Sequence, residues 1–213
     1  MNNYYDQNYF NWQKKIGQDG VLGDSWMFSG YINENDSVLD FGCGGGYILA
    51  SLECKEKFGV EINDVAAEQA RQNGIETYKN INDISNDKLF DKIISHHALE
   101  HVENPFGVLM ELKNKLKENG KIIFVTPIDD WRKQKEYIKE DINKHLYTWT
   151  PLNLGNLFWA AGFKVENVKV VPHSLISLAK ILYKFLPSKL FWLSCRIKGN
   201  ILKYRHVILV ATK

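Results

Sequence analysis

Four glycines and a carboxylate lie together in residues 38–47 (VLDFGCGGGY), where they could hold a small ligand. Glycine has no side chain and reaches positive φ without strain, so several in succession predict a tight turn that a ligand can approach closely. Asp40 comes just before this turn, and Glu61 ends a second apolar run, GVEIN. Together they could bind a cofactor through backbone amides and two carboxylates.

Two classes of cofactor commonly use a glycine turn between a strand and a helix: dinucleotides and S-adenosylmethionine. The dinucleotide pattern GxGxxG fails here, because its third glycine would fall on Tyr47. A carboxylate at Asp40 would repel a pyrophosphate, whereas it suits the ammonium and sulfonium groups of S-adenosylmethionine. Glu61 could hold two ribose hydroxyls in either cofactor, or simply favour a helix N-terminus. The spacing favours S-adenosylmethionine, with NAD as the alternative.

The histidines could contribute a base or a metal site. His97-Ala-Leu-Glu-His101 matches the HxxEH pattern of zinc peptidases. Such a site needs a long helix and a third ligand, but here the motif follows a predicted strand and meets Asn104-Pro105 three residues later. We therefore expect no metal. His97 and His145 are the candidate general bases, with pocket shaping as the alternative role, and His101 is expected to pack or cap.

Strand and helix patterns alternate along the chain around these residues. This alternation predicts an α/β fold: a Rossmann-like, open, mostly parallel seven-stranded sheet with helices on both faces, in three α/β/α layers. Ligands in such folds bind beyond the carboxyl ends of the strands. The predicted strands are 37–41, 58–62, 75–78, 90–95, 121–125, 163–170 and 206–211, and the predicted helices are 24–32, 47–52, 63–73, 104–119 and 150–161.

The chain length of 213 residues fits a single domain. We expect three parts within it: an N-terminal lid or helices at 1–35, a cofactor-binding core at 36–125, and acceptor-side insertions at 126–149 and 174–201. The aromatic segment 4–16 could be a lid or could pack on the domain.

Charge and cysteine content suggest a compartment and a partner. After Glu166 there are nine basic residues and no acidic ones, so this end carries +9 and the rest −7 within a net charge of +2. A basic end favours an anionic partner. The three cysteines form no CxxC pair, which favours a reducing compartment. We expect a cytoplasmic protein, or one peripheral at the inner membrane surface.

In combination, these motifs resemble those of the class I S-adenosylmethionine-dependent methyltransferases, and in particular the small-molecule O-methyltransferase-like branch. VLDFGCGGG is similar to the first motif of that family, GVEIN to its acidic second-strand motif, and INDI to its adenine-contacting loop. FDKIISHHALEHVENP and KLKENGKIIFVTP resemble the segments of its fourth and fifth strands, and HLYTWTPLNLGNLFWAAGFKV resembles a stretch of its small-molecule O-methyltransferases. The resemblance spans residues 36–170.

The resemblance implies a set of cofactor contacts. Asp83, in one loop with Ile84, would contact the adenine amino group, although Asn80 and Asn82 compete for that role. The backbone around His96 would contact the methionine end. The full implied set is Asp40, Gly42, Cys43, Gly44, Gly46, Glu61 (ribose), Ile62 (adenine), Asp83, Ile84 and His96.

The resemblance also implies a small hydroxylated methyl acceptor, for which a sugar or lipid-linked glycan would suit the basic end. Asp129, Asp130 and Trp131 are candidates to line its pocket, with a solvated loop as the alternative. The basic, apolar segment 174–201 could pack in the core or a homodimer, or contact a membrane or lipid-linked substrate. No base-flipping signature follows the fourth strand, so no nucleic-acid partner is expected. A catalytically silent cofactor-binding scaffold and an NAD-dependent oxidoreductase are the competing functions.

Overall fold

The computed structural model describes residues 21, 23–129, 134–175 and 179–213. The predicted lid segment 4–16 lies outside these residues. The strands are β1 Ser37–Phe41, β2 Glu56–Val60, β3 Glu76–Tyr78, β4 Phe90–His96, β5 Leu116–Pro127, β6 Lys164–Pro172 and β7 Arg205–Thr212. The helices are α1 Trp26–Ser29, α2 Tyr47–Ser51, α3 Asp64–Gln72, α4 Pro105–Lys115, α5 Pro151–Ala160, α6 Ala179–Phe185 and α7 Ser188–Leu202, with 3-10 turns at Ile81–Asp83 and Leu99–His101.

The strands form one sheet in the order β3-β2-β1-β4-β5-β7-β6. The first five positions are parallel, and β7 runs antiparallel to both β5 and β6. This arrangement confirms the predicted seven-stranded, mostly parallel sheet. It brings the carboxyl ends of β1, β2 and β4 to one edge, where the glycine turn lies.

Two apolar layers cover the faces of the sheet, because alternate residues of each strand point to opposite sides. In β1, Leu39 joins a layer with Leu112 of α4 and Phe158 of α5. Its neighbour Val38 joins the other layer, with Phe28 of α1 and Leu49 of α2. The central strands are buried on both faces, as expected for parallel strands covered by helices.

The boundary between α4 and β5 differs from the prediction. The helix ends at Lys115, and Asn119-Gly120 lies inside β5 instead of ending the helix. The strand pairing moves from Phe90 opposite Leu116 to Lys92 opposite Lys121, so the intervening part of β5 bulges. Asn119 has a φ of 65°, which such a bulge accommodates. An Asn-Gly pair suits a bulge as well as a helix end, so the sequence alone did not separate the two.

Segment 174–201 contains α6 and most of α7. Helix α7 packs through Phe191 and Cys195, which are fully buried. Its opposite side exposes large apolar side chains at helical spacing, and we call this set the α7 stripe. The stripe consists of Leu190, Leu193, Ile197 and Ile201. In the described part of the chain, no helix combines the length and apolarity needed to cross a membrane.

Candidate active site

The glycine turn leads from β1 directly into α2. Gly42, Gly44 and Gly46 all have positive φ, at 72°, 53° and 74°. A Cβ on Gly46 would lie 2.4 Å from Ile75 Cδ1, so packing as well as φ requires glycine there. A Cβ on Gly44 would meet no atom within 4 Å. The turn is therefore tightly packed at its end and open at its middle, where a ligand could approach the backbone.

Glu61 joins the turn to the start of α3. One of its carboxylate oxygens accepts a hydrogen bond from the Gly44 amide and the other from the Asn63 amide, both at 2.8 Å. Asn63 in turn caps α3 by accepting from the amides of Val65 and Ala66. Burial raises the pKa of Glu61, and the two amide hydrogen bonds partly offset that effect. Each oxygen keeps a lone pair that a ribose hydroxyl could use.

Asp40 is buried at the carboxyl end of β1. Burial, and then the nearby charge of Glu61, raise the pKa of Asp40 to about 8. A buried carboxyl group whose ionisation is opposed by a neighbouring, half-buried carboxylate favours a cationic ligand beside the pair. Cys43 belongs to the same turn, and its side chain packs against Gly59. A Cβ on Gly59 would lie 2.5 Å from the Sγ of Cys43. Burial raises the pKa of this thiol well above its usual value.

The residues expected at the adenine lie on two loops beyond β2 and β3. Ile62 is about half exposed, at 52%, and so is available to a planar ring. Asp83 accepts a hydrogen bond from the Asn80 amide at 2.9 Å and forms a capping box in its 3-10 turn. Ile84, the next residue, is buried in the core. The Asp83 carboxylate therefore has a structural role that is independent of any ligand.

The loop after β4 adjoins the glycine turn. A Cβ on Gly42 would lie 2.4 Å from the Cβ of Ala98, so the two segments are in close contact. His97 has a φ of 54°, an uncommon conformation for a residue other than glycine. Its Nε2 lies 2.9 Å from Nδ1 of His206, and its ring stacks on His96 with centroids 4.1 Å apart. The positive φ and the His206 contact thus determine where His97 points.

His96 and His97 belong to a largely half-buried cluster that the sequence did not predict. The other members are Asp24 before α1, His173 after β6 and His206 in β7. Asp24 contacts His173 Nε2 at 3.2 Å and His96 Nε2 at 3.8 Å. Burial lowers the pKa of His96, and it lowers the pKa of His206 to about 4. Burial also lowers the pKa of His97 well below its usual value, and the neighbouring histidines add to this shift. His97 is therefore a neutral imidazole at pH 7.

A second cluster contains residues that follow His97 in the chain. Glu100 and His101 lie in the 3-10 turn after β4, and His145 comes from the 126–149 insertion. His145 Nδ1 lies 2.8 Å from an oxygen of Asp129, and its ring packs edge-on against His101 with centroids 4.9 Å apart. Burial lowers the pKa of His145, but the hydrogen bond and charge of Asp129 outweigh it and raise the pKa overall. His97 and His145, the two predicted bases, thus lie in different clusters with opposite pKa shifts.

Sequence reasoning missed Asp24, His173 and His206, because nothing in their local sequence marks them. They come from three distant segments and meet only through the sheet order. The Asp129 pairing with His145 was also missed, although Asp129 was expected near the acceptor. Asp130 and Trp131 lie outside the described residues.

Comparison with known proteins identifies the family. The profile described as a methyltransferase domain matches residues 22–168, well over half of the chain. A ubiquinone biosynthesis O-methyltransferase of Rickettsia typhi is 32% identical over 165 residues, which cover 67% of this chain and 65% of that protein. The matched part thus spans just under two thirds of that relative's length.

Solved structures show the same fold. A SAM-dependent methyltransferase from Archaeoglobus fulgidus has a TM-score of 0.66 and 21% identity, covering 98% of this chain and all of its own. A Haemonchus contortus phosphoethanolamine N-methyltransferase 2, solved with S-adenosylhomocysteine, has a TM-score of 0.60 and 13% identity, covering 100% of this chain and 60% of its own. The family match and the fold together show that the chain belongs to the class I S-adenosylmethionine-dependent methyltransferases, whose cofactor is S-adenosylmethionine.

Proposed function

We propose that this chain transfers the methyl group of S-adenosylmethionine to a hydroxyl of a small acceptor, such as a sugar or a lipid-linked glycan. The observation that carries this proposal is the neutral, half-buried His97 beside the glycine turn, because a neutral imidazole can accept the proton of a hydroxyl. The similarity to an O-methyltransferase of Rickettsia typhi supports oxygen as the methylated atom. It also favours a second acceptor class, hydroxylated aromatic precursors of a quinone.

In this proposal the glycine turn and the two carboxylates hold the cofactor. Glu61 would accept the ribose hydroxyls, and the open backbone at Gly44 would lie against the methionine portion. Asp40 would face the positive ammonium and sulfonium groups. Ile62 would pack on the adenine, and Asp83 and the backbone at His96 would complete the seat.

The chemistry asks little of the protein beyond alignment and charge. The acceptor oxygen forms a bond to the methyl carbon as the carbon–sulfur bond breaks, and the sulfur keeps the electron pair as a neutral thioether. The hydroxyl proton passes to His97 or to water. Because the displacement must be in line, holding both reactants in the correct orientation supplies much of the acceleration.

The acceptor would bind between the core and the two insertions, 126–149 and 174–201. We propose that the α7 stripe rests on an anionic membrane surface, where it would bring the site to a lipid-linked acceptor. The stripe lies on the side of α7 opposite its buried residues. The exposed basic residues of the same segment are Lys189 and Arg196 in α7 and Lys203 directly after it. Exposed apolar residues flanked by basic ones on one helix are typical of interfacial helices.

Replacing Gly44 by alanine tests the cofactor seat. We expect Gly44→Ala to weaken S-adenosylmethionine binding at least about tenfold, because the new methyl group occupies the open space above the turn. Gly74→Ala is the matched control, since Gly74 also has a positive φ, 82°, and open surroundings but lies beyond α3. Both changes should lower the free energy of unfolding by about 1–2 kcal/mol through backbone strain. Calorimetric titration and urea unfolding separate the two effects, and equal binding by both variants would refute the placement.

The pH dependence of cofactor affinity tests Asp40. Its pKa of about 8 means that the carboxyl is mostly protonated between pH 6 and 7 and must lose its proton to pair with the cofactor's charge. We therefore expect the affinity for S-adenosylmethionine to rise by up to about tenfold over that unit of pH. In Asp40→Asn this rise should disappear. A wild-type affinity that stays constant from pH 6 to 7 would contradict the role given to Asp40.

Methyl transfer itself can be measured with cofactor labelled in the methyl group. We expect label in lipid-linked glycans or nucleotide-sugars, or, for the second class, in hydroxylated aromatic compounds. His97→Gln should lower kcat by about 100-fold while cofactor affinity stays unchanged. Label in protein or nucleic acid alone would overturn the proposal. Cofactor binding with no transfer to any of these classes would favour the silent scaffold.

Sedimentation with lipid vesicles tests the α7 stripe. We expect binding to vesicles rich in anionic lipid, little binding to zwitterionic ones, and weakening by salt. Ile197→Glu should reduce binding by about tenfold or more. Leu152→Glu, at a leucine of α5 that is 74% exposed, is the control for adding the same charge elsewhere. If Ile197→Glu instead dissociates a homodimer and the wild-type protein does not bind vesicles, the stripe is a dimer contact.

A further inference from the structure

Glu100, His101 and His145 form a compact group of three potential metal ligands. One ligand atom from each residue lies within 4.8 Å of the other two. Glu100 is fully buried, and the two histidines are partly buried. The group thus has the size and the partial enclosure that a bound ion would require.

Three polar atoms of this group lack hydrogen-bond partners in the described part of the chain. Both carboxylate oxygens of Glu100, and Nδ1 of His101, are buried without a hydrogen bond. Leaving such atoms unsatisfied is costly, and more so for a carboxylate than for a neutral group. A cation bound by these atoms would remove that cost, whereas packing alone gives no reason to bury them.

Asp129 orients the third ligand. It lies 2.8 Å from Nδ1 of His145, which directs the imidazole proton to that nitrogen and leaves the lone pair on Nε2. Histidines that bind metals usually donate their other ring nitrogen to a carboxylate or carbonyl in this way. The pairing therefore already has the form of a carboxylate–histidine–metal arrangement.

The backbone connects the two segments that supply the ligands. The amides of Leu146 and Tyr147 donate to the carbonyl of Glu100 at 2.9 and 3.2 Å, and the Tyr147 hydroxyl donates to the carbonyl of Glu103 at 3.1 Å. The loop carrying His145 is thus joined to the turn carrying Glu100 by contacts that involve none of the proposed ligand atoms. The site is preorganised without the ion.

We propose that Glu100, His101 and His145 bind one divalent transition-metal ion, of the type of Zn²⁺ or Co²⁺. Two imidazoles and one carboxylate are a donor set that such ions prefer over Mg²⁺, and three protein ligands leave a coordination position open. This revises the expectation of no metal: the zinc-peptidase motif contributes Glu100 and His101, whereas His97 faces His206 instead.

The open position would serve the acceptor. A hydroxyl bound to the ion would lose its proton to His97 or to water more readily, and the oxygen would then form a bond to the methyl carbon as the carbon–sulfur bond breaks and the sulfur keeps the electron pair. This role rests on the proposed methyl transfer to oxygen. Binding of the ion does not, so the two can fail separately.

Cobalt binding to the full chain tests the site without any acceptor. After treatment with a chelator, the wild type should bind one Co²⁺ per chain, with the visible absorption of a low-coordinate site, and Zn²⁺ should displace it. Glu100→Gln should bind Co²⁺ at least about 100-fold more weakly. Asp129→Asn should lower the affinity for Co²⁺ by about 10- to 100-fold, because His145 would no longer be held in the binding orientation. Glu103→Gln removes an exposed carboxylate from the same loop and should bind as the wild type does.

Thermal unfolding distinguishes a lost ligand from a lost fold. Metal-free Glu100→Gln should unfold at the wild-type temperature or above, because a buried unpaired carboxyl has been removed, and added Zn²⁺ should stabilise the wild type only. Absence of the cobalt spectrum in the wild type, equal affinity in Glu100→Gln, or displacement of Co²⁺ by an equal concentration of Mg²⁺ would overturn the proposal. Cobalt binding without methyl transfer would instead refute the proposed function alone.

Discussion

The pair of hydrogen bonds accepted by the Glu61 carboxylate is the interaction on which the arrangement of the candidate cofactor site depends. The two carboxylate oxygens hold the amides of Gly44 and Asn63, so one side chain fixes both the glycine turn and the start of α3. Burial raises the pKa of Glu61, and burial together with the charge of Glu61 raises the pKa of Asp40. The charge of Glu61 disfavours ionisation of the neighbouring Asp40, and a cation relieves that cost. The geometry that shapes the turn therefore also creates the preference for a positively charged cofactor over a pyrophosphate.

Much of the fold was predictable because its signals are local. The apolar run of β1, the glycine turn and the Asn104-Pro105 start of α4 each depend on a few consecutive residues, and the structure has them where the sequence placed them. Boundaries were less predictable where one residue pair suits two structures. Asn119-Gly120 could end a helix or form a bulge, and only pairing of β5 with β4 decides between them.

The histidine clusters show what local patterns could not predict. His97 and His101 are separated by three residues, and in a regular helix they would share a face. The positive φ at His97, followed by a 3-10 turn, directs them to different partners instead. His206 and His173 reach His97 and His96 only because β7 and β6 lie beyond β5 in the sheet. The sequence identified the loop that carries His97 and His101, but the sheet order determines the partners of each side chain.

In the proposed methylation of a hydroxyl, the two clusters would have different roles. His97 is neutral, but the burial that keeps it neutral also makes it a weak base, because its pKa lies well below the usual value. Such a base removes a proton efficiently only from a hydroxyl that is already acidified. The Glu100–His101–His145 group lies a few residues further along the same segment and could supply that acidification through a bound cation. In the proposed reaction, His97 would accept the proton and a cation on the Glu100–His101–His145 group would make the hydroxyl more acidic, so the two clusters would act on the same proton from different sides.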